Sequence, residues 1–232
     1  MIRPHGDNQP PAAITCILFD MDGTLLDSAP GVMDSAARAL RAVNAPVPPR
    51  GELLKYVGPP MYESFRHSAG LDEATARDAL RHYRAAYAET GALQSGLFGG
   101  IDSLLGQLDS LQCPMAVATS KVEDQAVRLA IALGIDRHFA DICGASDAAG
   151  RASKEDVIAE SLARLDAQGV DISGAVMVGD RSYDIAGAAA HRIPTIFVSW
   201  GYGEPSEARG AAAVAQTPDI LGRLLSAGVP TA

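Results

Sequence analysis

The order in this chain begins with a short apolar, partly β-branched run, ITCILF from Ile14, followed at once by a loop of Asp and Gly. Such a run predicts a strand buried on both faces of a parallel sheet. Between Pro30 and Gln94 the spacing becomes helical. Val32, Ala36, Leu40 and Val43 recur at intervals of four, four and three, and Ala76, Leu80, Tyr83 and Tyr87 at intervals of four, three and four. Asp72 stands where an N-cap would open the second stripe. Glu73 and Arg77 are set to pair on its outer face. The loops NAPVPPRG and VGPPM interrupt this stretch, which predicts a small helical bundle.

Past Gly99–Gly100 the two patterns alternate. Helical spacing over Ile101–Leu111 gives way to a strand at Met115–Thr119, and a helix over Val122–Leu133 ends at Gly134, a C-cap. A short strand at Asp141–Gly144 precedes a helix from Glu155 to Gln168 that stops at Gly169. The strand Ala175–Val178 runs into a helix near Tyr183–Ala190 and then the strand Thr195–Ser199. A last strand at Ala213–Ala215 and a helix over Pro218–Leu225 close the chain. Strands alternating with helices imply right-handed βαβ units. The predicted fold is α/β, a Rossmann-like parallel sheet core flanked by helices, with a small helical cap domain inserted after the first strand. The predicted division is a flexible tail over 1–13, a core made of 14–28 and 97–232, and a cap over 29–96.

Composition narrows the partners. The 232 residues carry 19 Lys and Arg against 28 Asp and Glu, a net charge of −9. With no basic stripe, nucleic acid is not an expected partner. No run approaches the ~18 apolar residues of a membrane span, and the first residues lack the apolar stretch of a signal peptide. Cys16, Cys113 and Cys143 are odd in number and widely spaced, as buried small hydrophobes would be. These features point to a reducing, cytoplasmic setting.

The unusual chemistry lies in the loop after the first strand, Asp20-Met21-Asp22-Gly23-Thr24. Asp20 and Asp22 share side-chain parity if strand geometry continues. Two carboxylates at one strand end repel unless a cation or a proton stands between them. Oxygen donors without clustered His or Cys favour Mg²⁺. Alone, Asp-x-Asp-Gly is equally a turn. Other chemistry converges on the same sheet edge: Thr119-Ser120-Lys121 after the second strand of the core, Lys154 at a helix start, and Gly179-Asp180-Arg181-Ser182-Tyr183-Asp184 after a later strand.

Asp20-Met21-Asp22-Gly23-Thr24 resembles the first motif of the haloacid dehalogenase-like hydrolase superfamily. Thr119 resembles its second motif, Lys154 its third, and Gly179-Asp180 through Asp184 its fourth. The helical insert is similar to the alpha-helical cap of the phosphoglycolate phosphatase-like branch. The resemblance implies a Mg²⁺-dependent phosphomonoester hydrolase acting on a small phosphorylated metabolite through a phosphoaspartyl intermediate. It implies that Asp20 is the nucleophile and Asp22 the general acid and base, with the metal held by Asp20, the Asp22 carbonyl and Asp180. The phosphoryl group would be bound by Thr119, Ser120, Lys154 and backbone N–H groups near Met21 and Asp22, and Asp184 would hold metal-bound water or Lys154.

Other readings stay open. Thr119 or Ser120 can simply cap the next helix. Lys154 lacks the proline that often follows the third-motif lysine, and Arg151 is its rival. Asp27 reads as a brace or a helix cap, and Lys121 as a supporting residue at most. Gly58, Pro59 and Pro60 form the candidate specificity loop, or an interhelix turn. Arg77, Arg81 and Arg84 read as a solvated face. Trp200-Gly201-Tyr202-Gly203 reads as a rim loop, for packing or for stacking on a base or sugar; together with GDRSYD and the Gly-Pro-Pro loop it resembles nucleotidase-like members. A sugar phosphomutase of the same fold and a non-catalytic binding protein are the alternatives, with monomer or dimer undecided.

Overall fold

The computed structural model describes residues 13–228, so the tail expected over 1–13 lies, but for Ala13, outside the described residues. The core strands are β1 (Cys16–Phe19), β4 (Met115–Val122), β5 (Asp141–Ala145), β6 (Ala175–Gly179), β7 (Thr195–Val198) and β8 (Ala213–Ala215). They form one parallel sheet in the order β5-β4-β1-β6-β7-β8, with β1 near its middle. Two further strands, β2 (Leu26–Asp27) and β3 (Gly96–Leu97), pair antiparallel as a separate ribbon.

Alternation along the strands builds the two helical layers. Cys16 and Leu18 of β1 face one side with Ala116, Ala118 and Met177, against Val157, Ile158 and Leu165 of α7 (Lys154–Ala167) and Ala188 of α8 (Ser182–Ala190). Ile17 and Phe19 face the other side with Val117 and Val178. There they meet α5 (Ile101–Ser110), α6 (Glu123–Ala132) and α9 (Pro218–Ala227). Successive strand side chains point to opposite faces, so a central strand must be apolar throughout, as Cys16–Phe19 is.

The insert is helical. It comprises α1 (Ala29–Ala42), the short turns α2 (Arg50–Leu53) and α3 (Met61–Glu63), and α4 (Glu73–Ala86). Asp72 caps α4 as expected, accepting from the Thr75 amide at 2.9 Å. Beyond Ala86 the chain continues as a π-type turn over Tyr87–Gly91. An aromatic ladder holds the insert together, with Tyr56 on Phe65, Phe65 on Tyr83 and Tyr83 stacked on Tyr87.

Some predicted boundaries shift. β4 runs to Val122 instead of Thr119, and its register with β5 is broken between those residues. α7 starts at Lys154 because Ser153 and Asp156 form a reciprocal capping box there. Among the described residues, no helix is long and apolar enough to cross a membrane.

Candidate active site

Ligands of such sheets bind beyond the carboxyl ends of the strands, and that edge collects the charged motifs. Asp20 continues β1, its amide donating to the Val178 carbonyl at 2.9 Å, so the sheet itself aims the carboxylate. The chain then turns sharply. Gly23 has φ of +90°, and a side chain there would strike the Asp180 carboxylate, so the position requires both the conformation and the empty space of glycine.

Lys154 Nζ lies 2.7 Å from Asp20 Oδ1 and 2.8 Å from Asp184 Oδ1, and donates to the Ala118 carbonyl at 3.0 Å. All three side chains are buried. Asp184 also accepts from the Arg181 amide at 3.0 Å, which closes the first turn of α8 and fixes the carboxylate. Arg151, the rival cation, pairs instead with Glu123 at 2.6 Å and with the Gly144 carbonyl. Lys154 is therefore the lysine paired with Asp20, with Ser153 in place to start its helix and no proline needed.

Asp180 follows β6 and is fully buried. It accepts from the Tyr202 amide at 2.7 Å and from Thr24 Oγ1 at 3.3 Å. The loop Trp200–Gly203 packs directly on it: a side chain at Gly201 or Gly203 would overlap Asp180, and Trp200 Nε1 donates to the Thr24 carbonyl at 3.0 Å. That segment is thus a support beneath Asp180, and packing accounts for it. Asp27 is a brace, accepting from Tyr202 Oη at 2.7 Å, while α1 starts without a side-chain cap.

Carboxylate oxygens of Asp20, Asp180 and Asp184 lie within 4.8 Å of one another. Burial raises the Asp20 carboxyl to about 6; Lys154 opposes the rise, and Asp184 and Asp22 add to it. Asp180 is pushed well above the ordinary carboxylate range by burial and then by Asp20 and Asp184. Burial opposes the charge of Lys154, yet Asp184 and Asp20 hold its ammonium above its usual value. The cluster carries more negative charge than its one lysine offsets, which is the electrostatic signature of a cation site.

Thr119 is buried, and its Oγ1 accepts from the Lys121 amide at 3.2 Å. Neither Thr119 nor Ser120 caps α6, which starts one turn later without a side-chain cap. That corrects the capping alternative. Ser120 Oγ is buried with no partner among the described residues, and both residues line the cavity above Asp20. Met21 points its side chain into the core.

This cavity, about 660 Å³, lies between sheet edge and insert. Gly58, Pro59 and Pro60 line it from the insert. Gly58 has φ of +101° and packs on the Arg181 side chain, whose guanidinium donates to the Val57 carbonyl. The loop is thus anchored to the fourth-motif segment. Arg77 and Arg84 border the cavity, yet Arg77 stays exposed and pairs with Glu73, as a solvated face would. Arg84 makes a two-pronged pair with Asp147 across the cavity mouth, at 2.7 and 3.3 Å. Arg81 pairs with Asp78 on the surface, as predicted. Helical periodicity points the face of α4 opposite the apolar stripe outward, and only Arg84, half-buried at the cavity mouth, departs from it.

The residue that sequence reasoning undervalues is Lys121. It is buried, 3.0 Å from Asp22 Oδ2 and 2.8 Å from Tyr87 Oη of the insert. Its neighbours in sequence carry no trace of these contacts.

A family model described as haloacid dehalogenase-like hydrolase matches residues 17–198. The tyrosine-protein kinase PtkA of Mycobacterium bovis and Mycobacterium tuberculosis is 47% identical over 188 residues, covering 81% of this chain and 62% of the relative. The chain thus spans under two thirds of those relatives' length. A 5'-nucleotidase from Pseudomonas aeruginosa is 36% identical over 83% of this chain and 86% of its own. The crystal structure of a predicted phosphatase from Clostridium acetobutylicum superposes with a TM-score of 0.86 at 32% identity, covering 91% of this chain and 98% of that one.

Proposed function

The chain belongs to the haloacid dehalogenase-like hydrolase family, and on that footing we propose that it hydrolyses a small phosphomonoester through a phosphoaspartyl intermediate. The observation that carries this reading is the buried Asp20–Lys154–Asp184 chain beside Asp180, with Asp22 two residues along. A binding protein would have no use for a nucleophile aimed by the sheet and charged by a lysine.

In the first step the Asp20 carboxylate attacks phosphorus, the P–O ester bond breaks, and its electron pair leaves with the alcohol oxygen, which takes a proton from Asp22. In the second, Asp22 takes a proton from water as the water oxygen attacks the same phosphorus. The acyl phosphate P–O bond breaks, which restores Asp20 and frees inorganic phosphate. Lys154 holds Asp20 in line and offsets charge on the phosphoryl oxygens, which Thr119 and Ser120 are placed to receive. The substrate enters an acidic protein, so attraction must be local.

The donor set is all oxygen, buried and short of positive charge, and it fits a hard divalent ion. Asp20, the Asp22 carbonyl and Asp180 would hold Mg²⁺; Asp184 is already committed to Lys154 and Arg181. When bound, the ion supplies charge neutralisation between the phosphoryl group and the anionic nucleophile.

A second reading follows from the 47% identical relatives named as tyrosine-protein kinases: the phosphoryl group would pass to a tyrosine hydroxyl instead of water. One experiment decides between them. Purified protein with Mg²⁺ is given p-nitrophenyl phosphate, nucleoside monophosphates, sugar phosphates and phosphoglycolate, beside an Asp20→Asn control. Hydrolysis releases inorganic phosphate in step with the alcohol. Alcohol release without phosphate, with label retained on protein tyrosine, selects the transferase, and isomerised sugar phosphate selects a mutase. Wild type no better than Asp20→Asn on every ester overturns the proposal.

A further inference from the structure

Lys121 is a buried cation that neither step above uses. β4 carries it two residues past Thr119, in the stretch where the register with β5 is broken. Its Nζ lies 3.0 Å from Asp22 Oδ2, donates to the Tyr87 hydroxyl oxygen at 2.8 Å, and stands 4.1 Å from the centre of the Tyr87 ring. Burial opposes its charge, and Asp22, Tyr87 and Tyr83 together restore it. Asp22 and Lys121 are core residues, whereas Tyr87 belongs to the insert. Tyr87 is itself fixed: it is fully buried, stacked on Tyr83 at 5.7 Å, and its hydroxyl meets Ser95 Oγ at 3.3 Å.

The two oxygens of Asp22 are not equivalent. Oδ2 is held by Lys121, while Oδ1 is buried with no hydrogen-bond partner among the described residues. A carboxyl that hands over a proton must be restrained, so that the group does not rotate away from the leaving oxygen. We propose that Lys121 is a positioning residue for the proton transfer: it grips Asp22 Oδ2, holds the carboxyl in one orientation at the cavity wall, and through Tyr87 makes that grip depend on the insert being seated on the core. The inference rests on the phosphatase reading above. The transfer itself is the first step already given, with the proton moving from the Asp22 carboxyl to the ester oxygen as the P–O bond breaks.

Lys121 also lines the cavity, so the competing role is direct binding of the phosphoryl group. The two roles respond differently to the leaving group. Phosphoryl charge is the same in p-nitrophenyl phosphate and phenyl phosphate, and the esters are close in shape. Only phenoxide, the more basic leaving group, depends strongly on being protonated.

The test compares kcat/KM for these two esters in wild type, Lys121→Met and Tyr87→Phe. If Lys121 acts through Asp22, Lys121→Met loses about 100-fold on phenyl phosphate and only about 3-fold on p-nitrophenyl phosphate, the size expected when an acid is misplaced. Tyr87→Phe removes one oxygen atom, keeps the packing, and loses about 5-fold, again mainly on phenyl phosphate. Equal losses on both esters overturn the proposal in favour of direct phosphate binding or a structural tie, and so does an unchanged Lys121→Met. Should Lys121→Met not fold, the Tyr87→Phe ratio decides alone. Failure of the underlying reading looks different: wild type then exceeds Asp20→Asn on neither ester.

Discussion

The sheet edge and the insert above it hold their charges in different ways. At the sheet edge the groups are buried, their partners come from backbone elements of one parallel sheet, and glycines leave room for a carboxylate and nothing more. Lys154 is fixed between two carboxylates and a carbonyl of the same domain. Across the seam, contact is made by a few long side chains, Arg84 to Asp147 and Lys121 to Tyr87, and by Arg181 reaching the Val57 carbonyl. The first arrangement is held mainly by partners within the core. The second exists only while the insert is seated. The charged cluster is thus fixed within the core, while the insert is joined to it by few contacts.

The harshest way to break this contrast is Lys154→Met. It leaves Asp20 and Asp184 buried without their cation, a loss of about 3–5 kcal/mol in folding stability by the general cost of orphaning a buried ion pair, and kcat falls at least about 1,000-fold. Urea unfolding and phosphate release measure the two losses. Next comes Gly203→Ala, whose new methyl would overlap the Asp180 carbonyl. A stability loss of about 2 kcal/mol is expected for overpacking of this kind, with a raised Mg²⁺ requirement in activity titrations, while KM for the ester at saturating Mg²⁺ changes little.

A third prediction uses protons. Burial raises Asp20 to about 6 and Asp180 well above its ordinary value of 3.8, so the native state binds protons more tightly than the unfolded chain. Without metal, stability is present at low pH and is lost as pH rises from about 4 through about 6. Metal-free protein therefore melts at higher temperature at pH 5.5 than at pH 7.5, Mg²⁺ narrows the gap, and Asp180→Asn narrows it further. A metal-free melting temperature that climbs over this range would contradict the assignment.

The smallest effect belongs to the seam. Arg84→Ala removes a pair that is exposed on both sides, so it costs under about 1 kcal/mol of stability. It should raise KM severalfold with kcat held, and the wild-type KM, unlike the variant's, should rise with salt.

The same contrast explains what the sequence reveals. Asp20, Asp22, Lys154, Asp180 and Asp184 each stand at a strand end or helix start, and strand and helix boundaries are written locally in apolar runs, caps and glycines. The predicted α/β order and the parallel sheet follow from that periodicity, and the structure bears them out. Lys154 is legible without a proline because Ser153 and Asp156 supply the helix start. The partners of Lys121 and Arg84 lie 34 and 63 positions away in the other half of the molecule, and nothing local encodes them. For the Trp200–Gly203 loop the sequence leaves packing and stacking open, and the structure supports packing, with Asp180 beneath it.

Tyr202 has a consequence of its own. Its amide collars Asp180, while its hydroxyl donates to Asp27 and accepts from the Ala29 amide, at the root of the insert beside the β2–β3 ribbon. One residue, through its backbone amide and its hydroxyl, is therefore both fulcrum and clamp. Any swing of the insert about that ribbon turns a lever whose short arm ends on the carboxylate assigned to the metal, so Asp180 stays undisturbed only if the Tyr202 hydroxyl lets go first.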